Sequence, residues 1–293
     1  MTGIRVTGLN LHPVKSTAIR PVAAAEVTYA GLLGDRRWMV VDADHAMLSA
    51  REDSGLFTIV ADIPQTEPTL LSGLVLSQSP SAATGLAPLH VDEPDRPAVD
   101  VTLHGKPLRA VPADADATAW VRDALGRHDV TLFWCDDPTR RPLNPEYSRP
   151  GDHTALADGY PVTLASTESL RRLNEWIAET AAERGDPVRD PLPITRFRPN
   201  VLVDGDLEPF AEDGWSGVTI GDVAFRLPKG VDRCVMTTID PASLATGHEP
   251  IRTLARHRKG GGKTWFAVHL IPDVEGPIRV GDPVLPDVRP AGR

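Results

Sequence analysis

The decapeptide Asp232-Arg233-Cys234-Val235-Met236-Thr237-Thr238-Ile239-Asp240-Pro241 contains one of the two cysteines in the 293-residue chain. Arg233 directly precedes Cys234, and a neighbouring cation favours the thiolate, which is the form of cysteine that binds metals. The β-branched residues after Cys234 predict a strand, and Asp240-Pro241 predicts the start of a helix. Free cysteines are usually buried and structural, which is the alternative role for Cys234. The motifs elsewhere in the chain bear on this choice.

The composition excludes several classes of protein. A formal net charge of −9 argues against general nucleic-acid binding, which needs a basic surface. No stretch approaches about 18 consecutive apolar residues, so no membrane span is expected. Two cysteines cannot form a disulfide framework and no signal peptide precedes the first strand-like segment, so we expect a cytoplasmic protein. Local basic clusters in such an acidic chain indicate a site for a small anion.

The pattern of apolar residues predicts a mostly β protein. The 24 glycines and 28 prolines favour short strands and loops over long helices. Alternating residues predict strands through roughly the first 110 residues, then a helix over 114–125 and a strand over 130–134. Residues 136–152 lack periodicity and are interpreted as a linker or a long ordered loop that separates domains 1–135 and 153–287. In the second domain, Ser166 is the predicted N-cap of a helix.

Four polar motifs lie at predicted strand ends or helix starts. In chain order they are Pro13-Val14-Lys15-Ser16, Gly34-Asp35-Arg36-Arg37-Trp38, Arg196-Phe197-Arg198-Pro199-Asn200 and Arg233-Cys234. Each alone is most simply a solvated charge near a turn. Together they supply several cations, a hydroxyl and an amide, and arginine and lysine both bind phosphate well. The helix after Ser166 would add N–H groups and a positive dipole end, so we predict that these groups converge on a phosphate.

Other common sites lack support in the sequence. Residues 260–264, Gly-Gly-Gly-Lys-Thr, lack the earlier glycine that a phosphate-binding loop needs, because His257 occupies that position. No His-x-x-x-His or Cys-x-x-Cys pair predicts a zinc site, and no Gly-x-Ser-x-Gly elbow predicts a serine hydrolase. The nine histidines are scattered, mostly in turns, and are interpreted as surface residues.

The order of the motifs resembles the MOSC family. The matching segments are Pro-Val-Lys-Ser at 13–16, Gly-Asp-Arg-x-Trp at 34–38, Phe-Arg-Pro-Asn at 197–200, Arg-Cys-x-x-Thr-Thr-Ile-Asp-Pro at 233–241 and Val-Gly-Asp-Pro-Val at 280–284. The likeness spans residues 4–285 and is to proteins of the YcbX and amidoxime-reducing-component type. It implies a mostly β fold with a few helices (α+β), in which an N-terminal β-barrel-like domain packs on a MOSC β-barrel domain.

The resemblance also implies a molybdenum cofactor, in which a phosphate-bearing pterin holds molybdenum through a dithiolene. In the family the cysteine of the Arg-Cys motif coordinates the metal, so Cys234 is the implied metal ligand and catalytic residue. Two positions depart from the family pattern. Asp232 stands where relatives can carry serine, and Gly159-Tyr160 replace smaller polar residues, which leaves that contact to the backbone. The implied contacts to the rest of the cofactor are Lys15, Ser16, Arg36, Asp158, Gly159, Tyr160, Arg198, Asn200 and Arg233.

For function, the resemblance implies a molybdenum-dependent reductase of small N-hydroxylated compounds. A [2Fe–2S] centre needs four cysteine-type ligands and only Cys135 remains besides Cys234, so electrons would come from a separate reductase or ferredoxin. Arg171-Arg172 or the basic segment 256–263 is the expected docking surface for that partner. One alternative is a molybdenum cofactor or sulfur carrier in which Cys234 forms a persulfide. A cofactor-binding module without redox activity is another.

Overall fold

The computed structural model describes residues 3–80, 82, 84–187 and 190–288. These residues form twenty strands and three α-helices, which confirms the predicted mostly β class. The helices are α1 (Ala115–Leu125), α2 (Thr167–Arg184) and α3 (Ile251–His257). The strands are β1 (Arg5–Leu11), β2 (Arg20–Val22), β3 (Ala24–Thr28), β4 (Gly31–Leu32), β5 (Trp38–Val41), β6 (Ile59–Asp62), β7 (Leu74–Gln78), β8 (Leu89–Val91), β9 (Val99–Leu103), β10 (Lys106–Pro112), β11 (Thr131–Trp134), β12 (Val162–Ser166), β13 (Val201–Asp204), β14 (Trp215–Ile220), β15 (Val223–Arg226), β16 (Gly230–Asp232), β17 (Lys259–Gly260), β18 (Lys263–Pro272), β19 (Gly276–Arg279) and β20 (Val284–Val288).

The largest sheet joins the two ends of the chain. Its strand order is β2-β1-β13-β12-β18-β15-β14-β20, and β16 and β17 both pair with β18. β1 runs antiparallel to β13, with Val6 opposite Val203 and Leu9 opposite Val201. Strands from both sides of residues 136–152 therefore share one sheet. At its far end, Val284 N–H of β20 donates to the Ile4 carbonyl at 2.9 Å, and Arg5 of β1 forms an isolated antiparallel bridge with Pro283.

Three smaller sheets complete the fold. Their strand orders are β5-β11-β10-β9, β19-β3-β4 and β6-β7-β8. β3 pairs with β19, so a second sheet also combines strands from both halves of the chain. β9 and β10 form the hairpin whose turn contains His104, with Leu103 opposite Lys106.

Local capping signals set the ends of the helices. The Asp114 side chain accepts a hydrogen bond from Ala117 N–H at the start of α1, and Gly126, with φ of 64°, ends this helix. Glycine adopts this left-handed conformation without the steric cost of a Cβ atom. Ser166 caps α2 by accepting a hydrogen bond from Ser169 N–H, as predicted. In the part of the chain that the structure describes, no helix combines the length and the apolar character needed to cross a membrane.

The predicted strand after Cys234 is wrong. Val235–Thr238 instead form one turn of 3-10 helix that begins at Cys234. The hydroxyls of Thr237 and Thr238 each donate to the carbonyl three residues back, at 2.9 and 2.7 Å, which satisfies this turn locally in place of a strand. Asp240 accepts hydrogen bonds from two N–H groups of the turn that follows, so the predicted helix at Asp240 is a turn as well.

Residues 136–152 are tied to the second half of the chain. Arg226 on β15 forms ion pairs with Asp152 at 2.8 Å and with Asp273 at 2.6 Å. Leu143 is buried in a small cluster with Tyr160. The segment is therefore an ordered loop that packs against the second half of the chain.

A buried apolar floor lies beneath the ends of β1 and β13. Leu9, Leu11, Val201 and Val203 are almost inaccessible to solvent. Burying each such side chain contributes about 1.5–3 kcal/mol to stability. The buried part of β1 ends at Leu11, and the first polar motif begins two residues later. The packing of β1 against β13 therefore fixes the position of that motif.

Candidate functional site

The first two motifs lie side by side beyond β1. Arg36 N–H donates to the His12 carbonyl at 2.8 Å. Trp38 N–H donates to the Pro13 carbonyl at 3.1 Å, and the Trp38 carbonyl accepts from Lys15 N–H at 2.7 Å. This short ladder of backbone hydrogen bonds brings two distant polar motifs to one place, as predicted.

The third motif connects the first motif to the fourth. Asn10 N–H donates to the Asn200 carbonyl at 2.8 Å, and the Asn10 side chain donates to the Pro199 carbonyl at 3.0 Å. Arg233 Nη1 donates to the Phe197 carbonyl at 3.0 Å. The Arg-Cys motif is therefore fixed to the Phe-Arg-Pro-Asn motif, which is itself fixed to the end of β1.

Lys15 joins the 158–160 segment to these motifs. Its Nζ donates to the Leu156 carbonyl at 2.8 Å and forms an ion pair with Asp158. His104 Nε2 lies 2.9 Å from the same carboxylate oxygen. Burial lowers the pKa of Lys15 to about 8, although Asp158 opposes this shift. Desolvation by the surrounding protein opposes ionisation of Asp158, whose side chain is 65% exposed, but Lys15 and His104 hold its pKa well below the usual value. Both members of the pair are therefore charged at neutral pH.

Arg36 is held from two sides. It forms an ion pair with Asp35, and its Nη1 donates to Asn200 Oδ1 at 3.2 Å. Asp35 accepts from His12 N–H at 2.7 Å and lies 3.0 Å from His12 Nδ1. Burial raises the pKa of Asp35, but the charge of Arg36 and the bonds from His12 outweigh it and hold that pKa below the usual range. Asn200 is fully buried and serves here to position Arg36.

Arg198 is a buried cation and Arg233 a partly buried one, and both are incompletely paired. Both Nη atoms of Arg198 and Nη2 of Arg233 lack a hydrogen-bond partner among the described residues. Burial lowers the pKa of each guanidinium to about 9, and the charge of Arg36 adds to the shift at Arg198. Each side chain is still positively charged at neutral pH, so uncompensated positive charge lies inside the protein.

Three of the predicted residues have strained backbone. Ser16, Arg36 and Arg198 have φ of 68°, 49° and 50°, in the left-handed region. Residues other than glycine adopt this conformation rarely and at a cost of about 1–3 kcal/mol. His104, which contacts Asp158, has φ of 51°. Strained positions of this kind cluster at functional sites.

The two cysteines differ in environment. Cys234 is exposed at the start of the 3-10 turn, whereas Cys135 is buried. Burial raises the pKa of Cys135 to about 11, which keeps it a thiol. Cys234 follows Arg233, whose guanidinium interacts electrostatically with it. The alternative of a buried structural cysteine is therefore wrong for Cys234. Among the described residues, no group of three or more His, Cys, Asp and Glu side chains is arranged to hold a metal ion.

The 158–160 segment lines a cleft of about 360 Å³. The Tyr160 ring is buried and packs against His269, with 4.8 Å between ring centroids. A Cβ atom at Gly159 would approach His269 Nε2 only to 3.8 Å, so the segment has space on that side. The Tyr160 side chain is thus part of the wall of the site, and the predicted contact through the backbone at 159–160 stays a prediction.

Sequence reasoning missed two buried histidines. His12 and His269 are 0% and 9% exposed, so the surface interpretation is wrong for both. Burial lowers the pKa of each to about 3, which makes both rings neutral. One nitrogen of each ring, Nε2 of His12 and Nδ1 of His269, lacks a partner among the described residues. The available signal for His12 was its place directly before Pro13, whereas only the pairing of β18 with β12 places His269.

The N-terminus of α2 is already occupied by a group of the chain itself. Ser166 Oγ lies 3.2 Å from a carboxylate oxygen of Glu212, and Ser169 Oγ donates to Glu212 at 2.7 Å. Burial raises the pKa of Glu212. The predicted contribution of the Ser166 helix dipole to the anion site is therefore wrong.

Two family models match this chain. Residues 3–128 match the MOSC N-terminal beta barrel domain, and residues 151–285 match the MOSC domain. Mitochondrial amidoxime-reducing component 1 of Homo sapiens is 29% identical over 297 residues, which cover 95% of this chain and 82% of that protein. Molybdenum cofactor sulfurase of Solanum lycopersicum is 26% identical over 306 residues, which cover 96% of this chain and 36% of the sulfurase. The crystal structure of the YUAD protein from Bacillus subtilis aligns with a TM-score of 0.40 and 13% identity over 97% of this chain and 94% of that one.

Proposed function

Because this chain belongs to the MOSC family, with a MOSC N-terminal beta barrel domain before its MOSC domain, we propose that it binds a molybdenum cofactor and reduces N-hydroxylated compounds. The observation that carries this proposal is a group of uncompensated buried cations next to an exposed cysteine. Similarity to the human mitochondrial amidoxime-reducing component 1 supports the reductase part of the proposal.

The charges of the site fit a phosphate-bearing cofactor. Two positive charges are in excess, and a phosphate would neutralise them, which relieves the cost of burying unpaired cations. The charged groups that give this excess are the four cations Lys15, Arg36, Arg198 and Arg233 and the two carboxylates Asp35 and Asp158.

The unpartnered buried atoms point the same way. Among the described residues, nine buried side-chain nitrogen and oxygen atoms lack a partner, and five of them belong to this site. Buried polar atoms are normally hydrogen-bonded, so the three orphaned guanidinium nitrogens among them fit a ligand that is rich in acceptors. The five atoms are Arg198 Nη1 and Nη2, Arg233 Nη2, His12 Nε2 and His269 Nδ1.

We assign a role to each group from its surroundings. Lys15, Arg36 and Arg198 would hold the phosphate, with the Ser16 hydroxyl beside Lys15, because that hydroxyl makes no hydrogen bond within the described residues. Cys234 would supply a thiolate to the metal, since soft thiolates suit a sulfur-rich coordination sphere. The cofactor, when bound, supplies the two-electron redox chemistry.

The proposed reaction breaks an N–O bond. A hydroxylamine, R–NHOH, takes up two electrons and two protons and yields R–NH₂ and water. Lys15 Nζ, Asp158 and His104 form a hydrogen-bonded series from the buried Lys15 to Asp158 and His104, whose side chains are 65% and 33% exposed. We assign proton supply to the exposed Asp158 and His104, because Lys15 is assigned to the phosphate. We assign electron supply to a separate protein, because two cysteines are too few for a four-cysteine [2Fe–2S] cluster and the described residues offer no group of three or more His, Cys, Asp and Glu side chains that could hold a metal ion.

Metal and pterin analysis tests cofactor binding. Protein purified from a molybdenum-competent host should contain stoichiometric molybdenum and pterin. Cys234→Ala should lose the metal, whereas the control Cys135→Ala, which removes the buried cysteine, should keep it. Full molybdenum content in Cys234→Ala would refute ligation by that thiolate.

Turnover tests the reductase part separately. With reduced methyl viologen as electron donor, the metal-loaded protein should convert benzamidoxime to benzamidine, and Cys234→Ala should not. Molybdenum-loaded protein that reduces no N-hydroxylated compound would refute the reductase proposal and leave cofactor binding intact.

The exposed Cys234 and the similarity to molybdenum cofactor sulfurases support a second candidate, a sulfur carrier. The thiolate would then hold a persulfide. Mass spectrometry of protein purified without reductant should show the mass of one added sulfur on the Cys234 peptide. Its absence under conditions that preserve a control persulfide would exclude this candidate.

A further inference from the structure

Every lysine of the chain lies at the candidate site or in the clefts beside it. The chain has 31 basic residues, of which only five are lysines. Lys15 is in the site itself, and Lys106 and Lys229 line the smaller cleft. Lys229 also lines a second, larger cleft of about 670 Å³, together with Lys259 and Lys263. Lysine carries a flexible point charge that can follow a small anion, whereas arginine suits fixed pairing.

The larger cleft combines positive charge with aromatic surface. Lys229 Nζ lies 4.9 Å from the centroid of the Tyr147 ring, and Lys263 Nζ lies 5.8 Å from that of Trp265. Over the described ranges, neither Lys229 nor the exposed Lys259 has a carboxylate within ion-pairing distance. The cleft therefore offers two unmatched ammonium groups beside two rings.

Other charges of the larger cleft are matched within the protein. Lys263 pairs with Asp232 at 3.2 Å, and Arg258 forms an ion pair with Asp213. Trp265 Nε1 donates to the Gly260 carbonyl at 2.9 Å, which holds the indole at the cleft wall. The unmatched positive charge is thus confined to Lys229 and Lys259.

Lys229 connects the larger cleft to the candidate site. It lines both clefts, and its Nζ also lies 5.8 Å from the ring centroid of Tyr160, in the 158–160 segment. Its carbonyl accepts from His269 N–H at 2.9 Å. β16 begins at the next residue and runs from the cleft to Arg233 and Cys234. A molecule held at Lys229 would therefore lie beside the wall of the site.

We propose that the larger cleft binds a small aromatic carboxylate. Lys229 and Lys259 would bind the carboxylate, and Tyr147 and Trp265 would contact the ring. This inference rests on the proposed function for its further consequence, that the substrate is an N-hydroxylated compound with a carboxylate at the end remote from the N–O group. The −9 net charge repels anions in general, so these lysines select where one can bind.

Two compounds that differ by one carboxylate test the proposal. Isothermal titration calorimetry should show tighter binding of 4-carboxybenzamidoxime than of benzamidoxime, by about tenfold for one charge-assisted interaction. Lys229→Gln and Lys259→Gln should each reduce this preference, and the double variant should abolish it. Arg171→Gln removes one positive charge from α2, outside both clefts, and should leave the preference unchanged. Equal affinity of the two compounds for the unmodified protein would overturn the proposal.

Kinetics with reduced methyl viologen separate this inference from the proposed function. If the carboxylate preference in binding is reduced in Lys229→Gln but neither compound is reduced by the protein, the cleft assignment holds and the reductase proposal fails. If both compounds are reduced with equal kcat/KM and Lys229→Gln changes neither, the reductase proposal holds and the cleft assignment fails. If Lys229→Gln changes KM for a protein electron donor but leaves the affinity for both compounds unchanged, the cleft is a docking surface and the proposal is overturned.

Discussion

The arginines of the candidate site differ from those of α2. Arg171 and Arg172 lie on the outer face of α2, and each pairs with glutamates on the same helix, as at 2.8 Å between Arg172 and Glu175. Arg198 is buried and Arg233 is partly buried, and neither guanidinium is fully hydrogen-bonded within the described residues. The protein thus matches charge where water already screens it and leaves charge unmatched where burial makes this costly.

This contrast is the reverse of what stability alone favours. Exposed ion pairs contribute about 0–1 kcal/mol, whereas a buried unpaired cation destabilises a fold by several kcal/mol. Residues that lower stability persist where they serve a ligand, and the left-handed φ of Arg198 indicates the same. The difference between the two sets of arginines therefore marks the buried set as the functional one.

The largest effect on stability is expected when the packing around the site arginines is broken at Phe197. Phe197 stacks on Phe266 with 3.9 Å between ring centroids, and its carbonyl holds Arg233. Phe197→Ala should lower the free energy of unfolding by about 3–5 kcal/mol, because it leaves a cavity in the core. Urea unfolding measures this. Tyr29→Ala, at a half-exposed ring, is the control and should cost far less. A small loss in Phe197→Ala would contradict the packing described above.

A second variant should separate stability from binding. Arg198→Met should raise the free energy of unfolding of the cofactor-free protein by about 1–4 kcal/mol, because it removes a buried charge that lacks a partner. The same variant should lose molybdenum and pterin, because it removes a phosphate ligand. Thermal unfolding and metal analysis measure the two effects. A less stable cofactor-free variant with normal cofactor content would show that Arg198 is structural.

The buried histidines should set the acid response. Burial lowers the pKa of His269 from 6.5 to about 3, so the unfolded chain binds a proton that the folded chain excludes. Stability is therefore full above pH 6.5 and falls between that pH and about 3, by about 1.4 kcal/mol per pH unit for each such histidine. His269→Phe should reduce the slope by that amount in urea unfolding at several pH values. Above pH 6.5 the slopes of the two proteins should agree, and an unchanged slope at acid pH would contradict the buried neutral ring.

The smallest effect on stability is expected for the exposed arginines of α2. Arg171→Gln should change the free energy of unfolding by less than about 0.5 kcal/mol, since Arg171 is exposed and its glutamates stay solvated. It should also leave cofactor content unchanged. A large loss of either would mean that α2 contributes to the site, and the comparison between the two sets of arginines would fail.

Local signals in the sequence predicted the elements that depend on neighbouring residues. The caps at Asp114 and Ser166 set the starts of α1 and α2 where expected. The exception was the strand predicted after Cys234. β-Branched residues favour strands, but the hydroxyls of Thr237 and Thr238 bond to nearby carbonyls and stabilise a turn instead. The motif order predicted that Lys15, Arg36 and Arg198 converge, and the structure brings them together through β1 and β13.

Contacts between distant residues, and the burial of individual side chains, could not be predicted in the same way. Glu212 lies 46 residues from Ser166 in sequence and occupies the helix end that was expected to face an anion. His269 is buried only because β18 pairs with β12. Such outcomes depend on which strands become neighbours, and no local pattern encodes them.

The sequence by itself determined the mostly β class, the helix caps and the set of residue types available for an anion and a metal, because short-range periodicity and capping act over a few residues. Only the tertiary structure decided that Cys234 is exposed while Cys135 is buried, and that Arg198 lacks partners while Arg171 has them. Exposure and charge pairing are set by the long-range packing of strands such as β1 on β13. That packing brings distant polar residues together into one site.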